Sequence, residues 1–239
     1  MSGHQKRVAA PKTWPITRKT NTWIVNTNPG PHNKSLSMPL ALIVRDMLKI
    51  ANTLGETKKI LNAENVLVDG RIRKNPKFPV GIFDVVAIPE NKQYYRMLLS
   101  PNEKLELRSL EGPDGKKLCK ITNKTTIKGG KVQLNLHDGT NMLATAEGYE
   151  GYAPGDSLIL SLPDKNIVKH LKFEEGSTAI IVGGKHSGET GSIVKKRVVH
   201  GSGLNAVTVK TSERELETLE KYVYVIGKDK PEIMVGERN

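Results

Sequence analysis

The spacing of apolar residues changes once along this chain, near Val66, and the change limits the folds open to it. Upstream, Leu40, Ile43, Val44, Met47, Leu48, Ala51 and Leu54 recur at intervals of three and four, the spacing of one face of an amphipathic helix. Downstream, apolar and polar residues alternate in short runs cut by Gly, Pro and Asp-Gly. Alternation marks strands with one buried face. The pattern predicts a small α+β part followed by all-β parts.

A first helix is expected over residues 38–54, capped by Ser37, with Pro39 in its first turn and Gly55 ending it. Arg45, Lys49 and Asn52 fall on its polar stripe. A shorter helix follows over "ETKKILNAEN", with Glu56 near its N-terminus and Lys58 and Lys59 exposed. "VLVDGRIR" reads as strand, Asp-Gly turn, strand. Arg71 and Arg73 flank Ile72 and so share one face, with Lys74 and Lys77 just beyond. A closing strand runs from Asp84 to Ile88. Residues 94–170 read as a series of short strands punctuated by Gly112-Pro113, Asp138-Gly139 and Pro154-Gly155. Residues 173–228 give a second series, including "TGSIVKKRVV" with Lys195, Lys196 and Arg197. "SERELETLEK" has the Ser212 to Glu215 spacing of a capping box but is read as a turn and a strand.

Charge is as uneven as periodicity. The 239 residues carry a formal net charge of +12, and residues 1–100 hold 16 Lys/Arg against 6 Asp/Glu. Up to Arg45 there are seven cations and no acid. Such concentration points to a directed contact with a polyanion, nucleic acid above all. Residues 1–36 have prolines at 11, 15, 29 and 31, and contain Lys6, Arg7, Lys12, Arg18 and Lys19 together with both tryptophans, Trp14 and Trp23. This segment is too broken to bury a core alone, and an arm that orders on RNA is expected, its tryptophans resting on the body or on bases.

Other functions lack their parts. The single cysteine, Cys119, excludes an internal disulfide and a thiolate zinc cluster, and fits a reducing compartment. No run has the length of a membrane-spanning helix or the form of a signal peptide, so a cytoplasmic protein is expected. The histidines are scattered, and His186 beside Ser187 has no third triad partner. "VGGKHSGETGSIV" (182–194) looks at first like a phosphate loop. However, His186 follows Gly184-Lys185 where Ser or Thr is needed, and Ala179 stands at the position of the first glycine. A β-branched run follows in place of a helix N-terminus. No catalytic residue, metal, cofactor or small-molecule substrate is expected. The hairpin also lacks the aromatics of a base-stacking sheet, so shape and backbone recognition of folded RNA is the expectation.

Two stretches resemble known RNA-associated elements. "ETKKILNAENVLVDGRIRKNPKFPVGIFDVVAI" resembles the RNA-binding domain named for ribosomal protein S-four, with Val66, Val68, Asp69, Gly70, Phe78, Val80 and Asp84 as matches. It departs from that pattern at Met38-Pro39-Leu40, where Arg-Leu-Asp is usual, and at Phe83, where glycine is usual. "EEGSTAIIVGGKHSGETGSIVKKRVV" is similar to a KOW motif of an SH3-like barrel, through Gly176, Gly184, Gly188, Gly191 and Ile193. In order, with "KRVAAPKTWPI" before them and "YVYVIGKDKPEI" after, they resemble the e-type small-subunit ribosomal protein S-four family across nearly the whole chain, in its archaeal more than its eukaryotic form.

That resemblance implies a multidomain α+β and all-β chain. Its parts are a basic arm (1–36), a helix-helix-hairpin RNA-binding module (37–93), a central β-barrel-like domain (94–171), a KOW SH3-like barrel (172–228) and a tail (229–239). It implies a structural, non-enzymatic constituent of the small ribosomal subunit that binds rRNA and neighbouring ribosomal proteins. The RNA-facing residues expected are the cations named above, with Lys185 at a loop tip. The alternative is a KOW-containing transcription elongation factor that binds RNA polymerase.

Overall fold

The computed structural model describes residues 3–112, 115–144, 151–199, 203–211, 214–228 and 230–233. Pro113, Ser212 and most of the 229–239 tail therefore lie outside the described residues. Two units are distinguished: residues 1–98 with 104–115, and residues 99–103 with 116–239.

The first unit begins with strands β1 (Gln5–Lys6) and β2 (Trp23–Ile24), paired antiparallel with Lys6 opposite Trp23. The expected arm is part of the fold. Trp14 is 1% exposed, and its indole N–H donates to Ser37 O at 2.7 Å. The segment needs no core of its own because it contributes to that of the unit. Leu105 N also donates to Thr13 O at 2.8 Å.

The long helix expected over 38–54 is broken into three pieces. Strand β3 (Ser37–Pro39) pairs with β6 (Pro79–Gly81), so Ser37 lies in a ladder and is not a helix cap. Helix α1 (Leu40–Leu42) runs straight into a wider π turn over Ile43–Met47. The first free amides of α1, at Leu40 and Ala41, donate to Phe78 O and Pro76 O. Lys49, at φ +56°, ends the element. Helix α2 (Leu54–Asn62) then starts at Thr53, whose side chain accepts from Glu56 N while the Glu56 carboxylate accepts from Thr53 N. This reciprocal cap starts the second helix before Gly55, which therefore does not terminate the first.

The Asp-Gly hairpin forms as expected, between β4 (Leu67–Val68) and β5 (Arg71–Ile72), with φ of +52° at Asp69 and +73° at Gly70. Strand β7 (Val85–Ile88) closes on β4. Strands β8 (Gln93–Leu99) and β9 (Leu105–Leu110), expected in the central domain, extend this same sheet in the order β5-β4-β7-β8-β9. Alternation revealed them as strands but said nothing of their partners. Met38, Leu40, Leu42, Ile43, Leu61, Phe83 and Met97 are fully buried in the first unit. Phe83 takes φ +69°, a conformation that favours glycine, and its complete burial offsets the strain.

The second unit holds two five-stranded antiparallel sheets. One contains β10 (Lys116–Thr126), β11 (Val132–Leu136), β12 (Asn141–Ala144), β13 (Ser157–Ser161) and β14 (Ile167–Leu171), in the order β12-β11-β10-β13-β14. Its core is Cys119, Ile121, Val132, Leu134, Leu136, Leu158 and Leu160. The other contains β15 (Thr178–Ile181), β16 (Thr190–Arg197), β17 (Ala206–Lys210), β18 (Glu215–Leu219) and β19 (Val223–Gly227), in the order β18-β17-β16-β15-β19. Residues 215–219 are thus a strand, as read from their sequence. Lys120 ties the two sheets: its ammonium donates to Val223 O at 2.7 Å and Glu220 O at 2.8 Å. The molecule is mostly β, with two short helices and several antiparallel sheets.

Candidate nucleic-acid interface

The first unit exposes cations on several of its elements. Lys58 and Lys59 lie on the open side of α2, whose other side buries Thr57 and Leu61. Arg71 is exposed on β5, Lys77 in the following loop and Lys49 at the left-handed end of the first helix. Lys6, Lys12 and Lys19 are exposed in the N-terminal segment. None of these forms an ion pair with a described residue, so each is free to neutralise a phosphate.

Other cations expected at the interface are already engaged. Arg7 is 8% exposed, and its guanidinium donates to Thr17 O and, at 3.4 Å, to Thr17 Oγ1. Arg18 donates to the carbonyls of Val8, Ala10 and Pro11 at 3.1, 2.7 and 2.8 Å. These two arginines tie the turns of the N-terminal segment to one another. Arg45 grips Asp46 through two hydrogen bonds of 2.6 and 3.0 Å, and the bond to Asp46 raises the guanidinium pKa further. Arg73 lies over the Phe78 ring, 4.4 Å from its centroid. Lys74 pairs with Glu64 at 2.6 Å, both well exposed.

In the second unit, Lys185 and Lys195 are exposed. Lys196 reaches Glu220 at 2.6 Å and lies 5.2 Å from the Phe173 centroid. Burial pushes the Glu220 carboxyl up, but hydrogen bonds from Lys196 and Asn205 outweigh it and hold its pKa down. Arg197 faces Glu217 at 3.7 Å. The glycine stretch is a strand connection. Gly176, Gly184 and Gly188 have φ of +88°, +84° and +82°. At Gly191 a Cβ would come within 2.4 Å of Lys210 O, so the neighbouring strand leaves no room for a side chain. Lys185 sits in this connection, while Ser187 donates its hydroxyl to Gly184 O and is not poised as a nucleophile.

Sequence reasoning passed over one exposed basic tip, Lys128 and Lys131, which flank Gly129 and Gly130 between β10 and β11. The signal was present as a Gly-Gly turn between lysines. Among the described residues, no group of three or more His, Cys, Asp or Glu is placed to hold a metal ion. No described helix is long and apolar enough to cross a membrane.

Exposed cations on a β-rich frame are the arrangement expected of a polyanion-binding protein. A profile described as Ribosomal family S4e matches residues 91–167, and one described as RS4NT (NUC023) domain matches residues 1–35. The "Small ribosomal subunit protein eS4" of Archaeoglobus fulgidus is 49% identical over 236 residues, 98% of each chain. The protein of the same name from Methanocella arvoryzae is 45% identical over 230 residues, 96% of each. The crystal structure of the 30S ribosomal protein S4e from Thermoplasma acidophilum superposes with a TM-score of 0.69 at 32% identity, covering 81% of this chain and 96% of that one. The chain belongs to the S4e family of ribosomal proteins. Similarity of this extent leaves no place for the elongation-factor alternative.

Proposed function

We propose that the chain is a structural constituent of the small ribosomal subunit, holding rRNA phosphates with the exposed cations of its first unit and acting in translation without catalysing a reaction. The observation that carries this is a near-full-length likeness to small-subunit proteins in a chain whose first unit leaves Lys58, Lys59, Arg71 and Lys77 exposed and outside any salt bridge among the described residues. Residues 37–93 act as the RNA-binding module. The reading is supported by the left-handed Asp69-Gly70 turn and by Phe83, which takes the conformation that the glycine usual at this place would adopt freely. Strands β10 to β14, within residues 116–171, make up the central domain, without β8 and β9. Residues 172–228 act as a KOW barrel, supported by the positive φ at Gly176, Gly184 and Gly188. The second unit meets neighbouring RNA or ribosomal proteins through Lys185, Lys195 and the Lys128–Lys131 tip.

The test is sedimentation of the tagged chain from a lysate of its source cells. The expected result is co-migration with small-subunit particles at low salt, lost progressively as salt rises. Protein that stays at the top of the gradient at low salt overturns the proposal.

A further inference from the structure

The two tryptophans are placed in opposite ways. Trp14 is 1% exposed and hydrogen-bonded to Ser37 O, whereas Trp23 is 56% exposed. The β1-β2 ribbon explains the difference. Gln5 and Ile24, directly opposite each other, are 7% and 8% exposed and form its inner face. His4, Lys6 and Trp23 are exposed on its outer face, where Lys6 is the cross-strand partner of Trp23. The His4 ring meets the indole edge-on, with centroids 5.8 Å apart and planes at 60°, which restrains the indole while leaving more than half of it open.

We propose that Trp23, restrained by His4 and flanked by Lys6, is a stacking site for an unpaired RNA nucleobase. The charge around it selects this occupant. Residues 1–45 contain seven Lys/Arg and no acid, so an aromatic surface is offered inside a region that repels cationic partners and attracts phosphates. An indole face beside a lysine is the combination that single-stranded nucleic acid uses, the base on the ring and its phosphate on the ammonium. A large aromatic left open to water gains nothing for folding, and a base would cover it. The proposal rests on the RNA-binding reading above and adds a contact to a base where that reading has contacts to phosphates.

The experiment compares a short oligoadenylate with an abasic strand of the same length and charge, each bound to the full chain at low salt. Trp14 and Trp23 are the only tryptophans, and iodide separates them, since the buried indole is shielded. Oligoadenylate is expected to quench the iodide-accessible emission and to bind about ten-fold or more tightly than the abasic strand. Trp23→Ala should abolish that preference without changing abasic binding or the thermal midpoint, and Trp23→Tyr should restore most of it. Equal binding of the two strands, or an unchanged preference in Trp23→Ala, overturns the stacking site. Small-subunit rRNA serves as a separate arm. If it binds without any base preference in the oligonucleotides, stacking falls alone. If it does not bind, the RNA-binding reading falls as well.

Discussion

Lys58 and Lys59 on α2 and Lys117 and Lys120 on β10 are the same residue type in opposite settings. The first pair is exposed, on a helix whose only acid, Glu56, is occupied in capping. The second pair is 2% and 5% exposed. Lys117 reaches Asp138 at 3.2 Å, and Lys120 donates to the carbonyls of the turn and strand at Glu220 to Val223. On α2 the first unit turns its lysines outward, where they cost folding little and remain available to phosphates, although Arg7 and Arg18 of the same unit are used inward. The second uses several inward, to join strands and sheets. Net charge alone does not separate these uses; the neighbouring acids and carbonyls do.

The sharpest way to break the contrast is to remove one half of the inward pair. Burial works against the Asp138 carboxylate, yet Lys117, the Thr140 amide, His137 and Lys165 together hold its pKa well below the usual carboxylate range. Asp138→Ala leaves the Lys117 ammonium in the interior without that charge, and should cost roughly 3–5 kcal/mol of stability. The double change Lys117→Met with Asp138→Leu should recover most of the loss, because apolar packing then replaces the pair. Both tryptophans lie in the first unit, so the measurement is urea unfolding of the full chain followed by far-ultraviolet circular dichroism.

Lys120 gives the next largest effect, through pH. Burial lowers its pKa from 10.5 to about 8, with Glu220 opposing and Lys196 adding to the shift. Between those values the unfolded chain binds more protons than the folded one, so stability rises with pH across the window. At lower pH the folded protein carries the cost of a buried charge. The gain from pH 8 to 10.5 is on the order of 3 kcal/mol. Lys120→Met should lose this slope, and it should also be less stable at neutral pH because three carbonyls lose their donor. Urea midpoints of both proteins across that range check the sign. A midpoint difference that does not widen as pH rises would remove the buried-charge account.

For the outward set, changing Lys58, Lys59 and Arg71 to glutamate should leave unfolding nearly unchanged. The same variant should weaken binding to small-subunit rRNA and flatten its dependence on salt by roughly two to three units, about one per lost phosphate contact. Reversing Lys196 and Arg197 should flatten it much less, since Glu220 and Glu217 already answer those charges. Equal salt slopes in the two variants would erase the difference between the units.

Much of this was legible in the sequence, for physical reasons that differ by region. The Asp69-Gly70 hairpin and the strands of the second unit follow from local chemistry: a turn that needs positive φ, and side chains that alternate between core and water. Partnership between distant strands is not local, so β8 and β9 were readable as strands but not as members of the first unit's sheet. The first helix was overextended because Ala51 and Leu54 continue the spacing by chance, with Leu54 36% exposed. Thr53 and Glu56, three apart, held the information that a new helix starts there. Within the interface, residue type identified cations but not their employment. Arg7 and Arg18 look like RNA ligands in sequence, and only the path of residues 8–17 shows them bound to backbone carbonyls.

The smallest effect tests whether a visible ion pair matters at all. Arg197 and Glu217 stand 3.7 Å apart with side chains 74% and 62% exposed. Water screens both charges, and holding two long side chains together costs entropy, so the pair should contribute within about 0.5 kcal/mol. Glu217→Ala should therefore leave the urea midpoint unchanged. Its effect should appear in binding: with its acid gone, Arg197 joins the outward set, and the rRNA salt slope should steepen by up to one unit. A steeper slope at constant stability would mean that acids of the second unit tune how many of its cations reach RNA. An unchanged slope would place Arg197 away from the nucleic acid altogether.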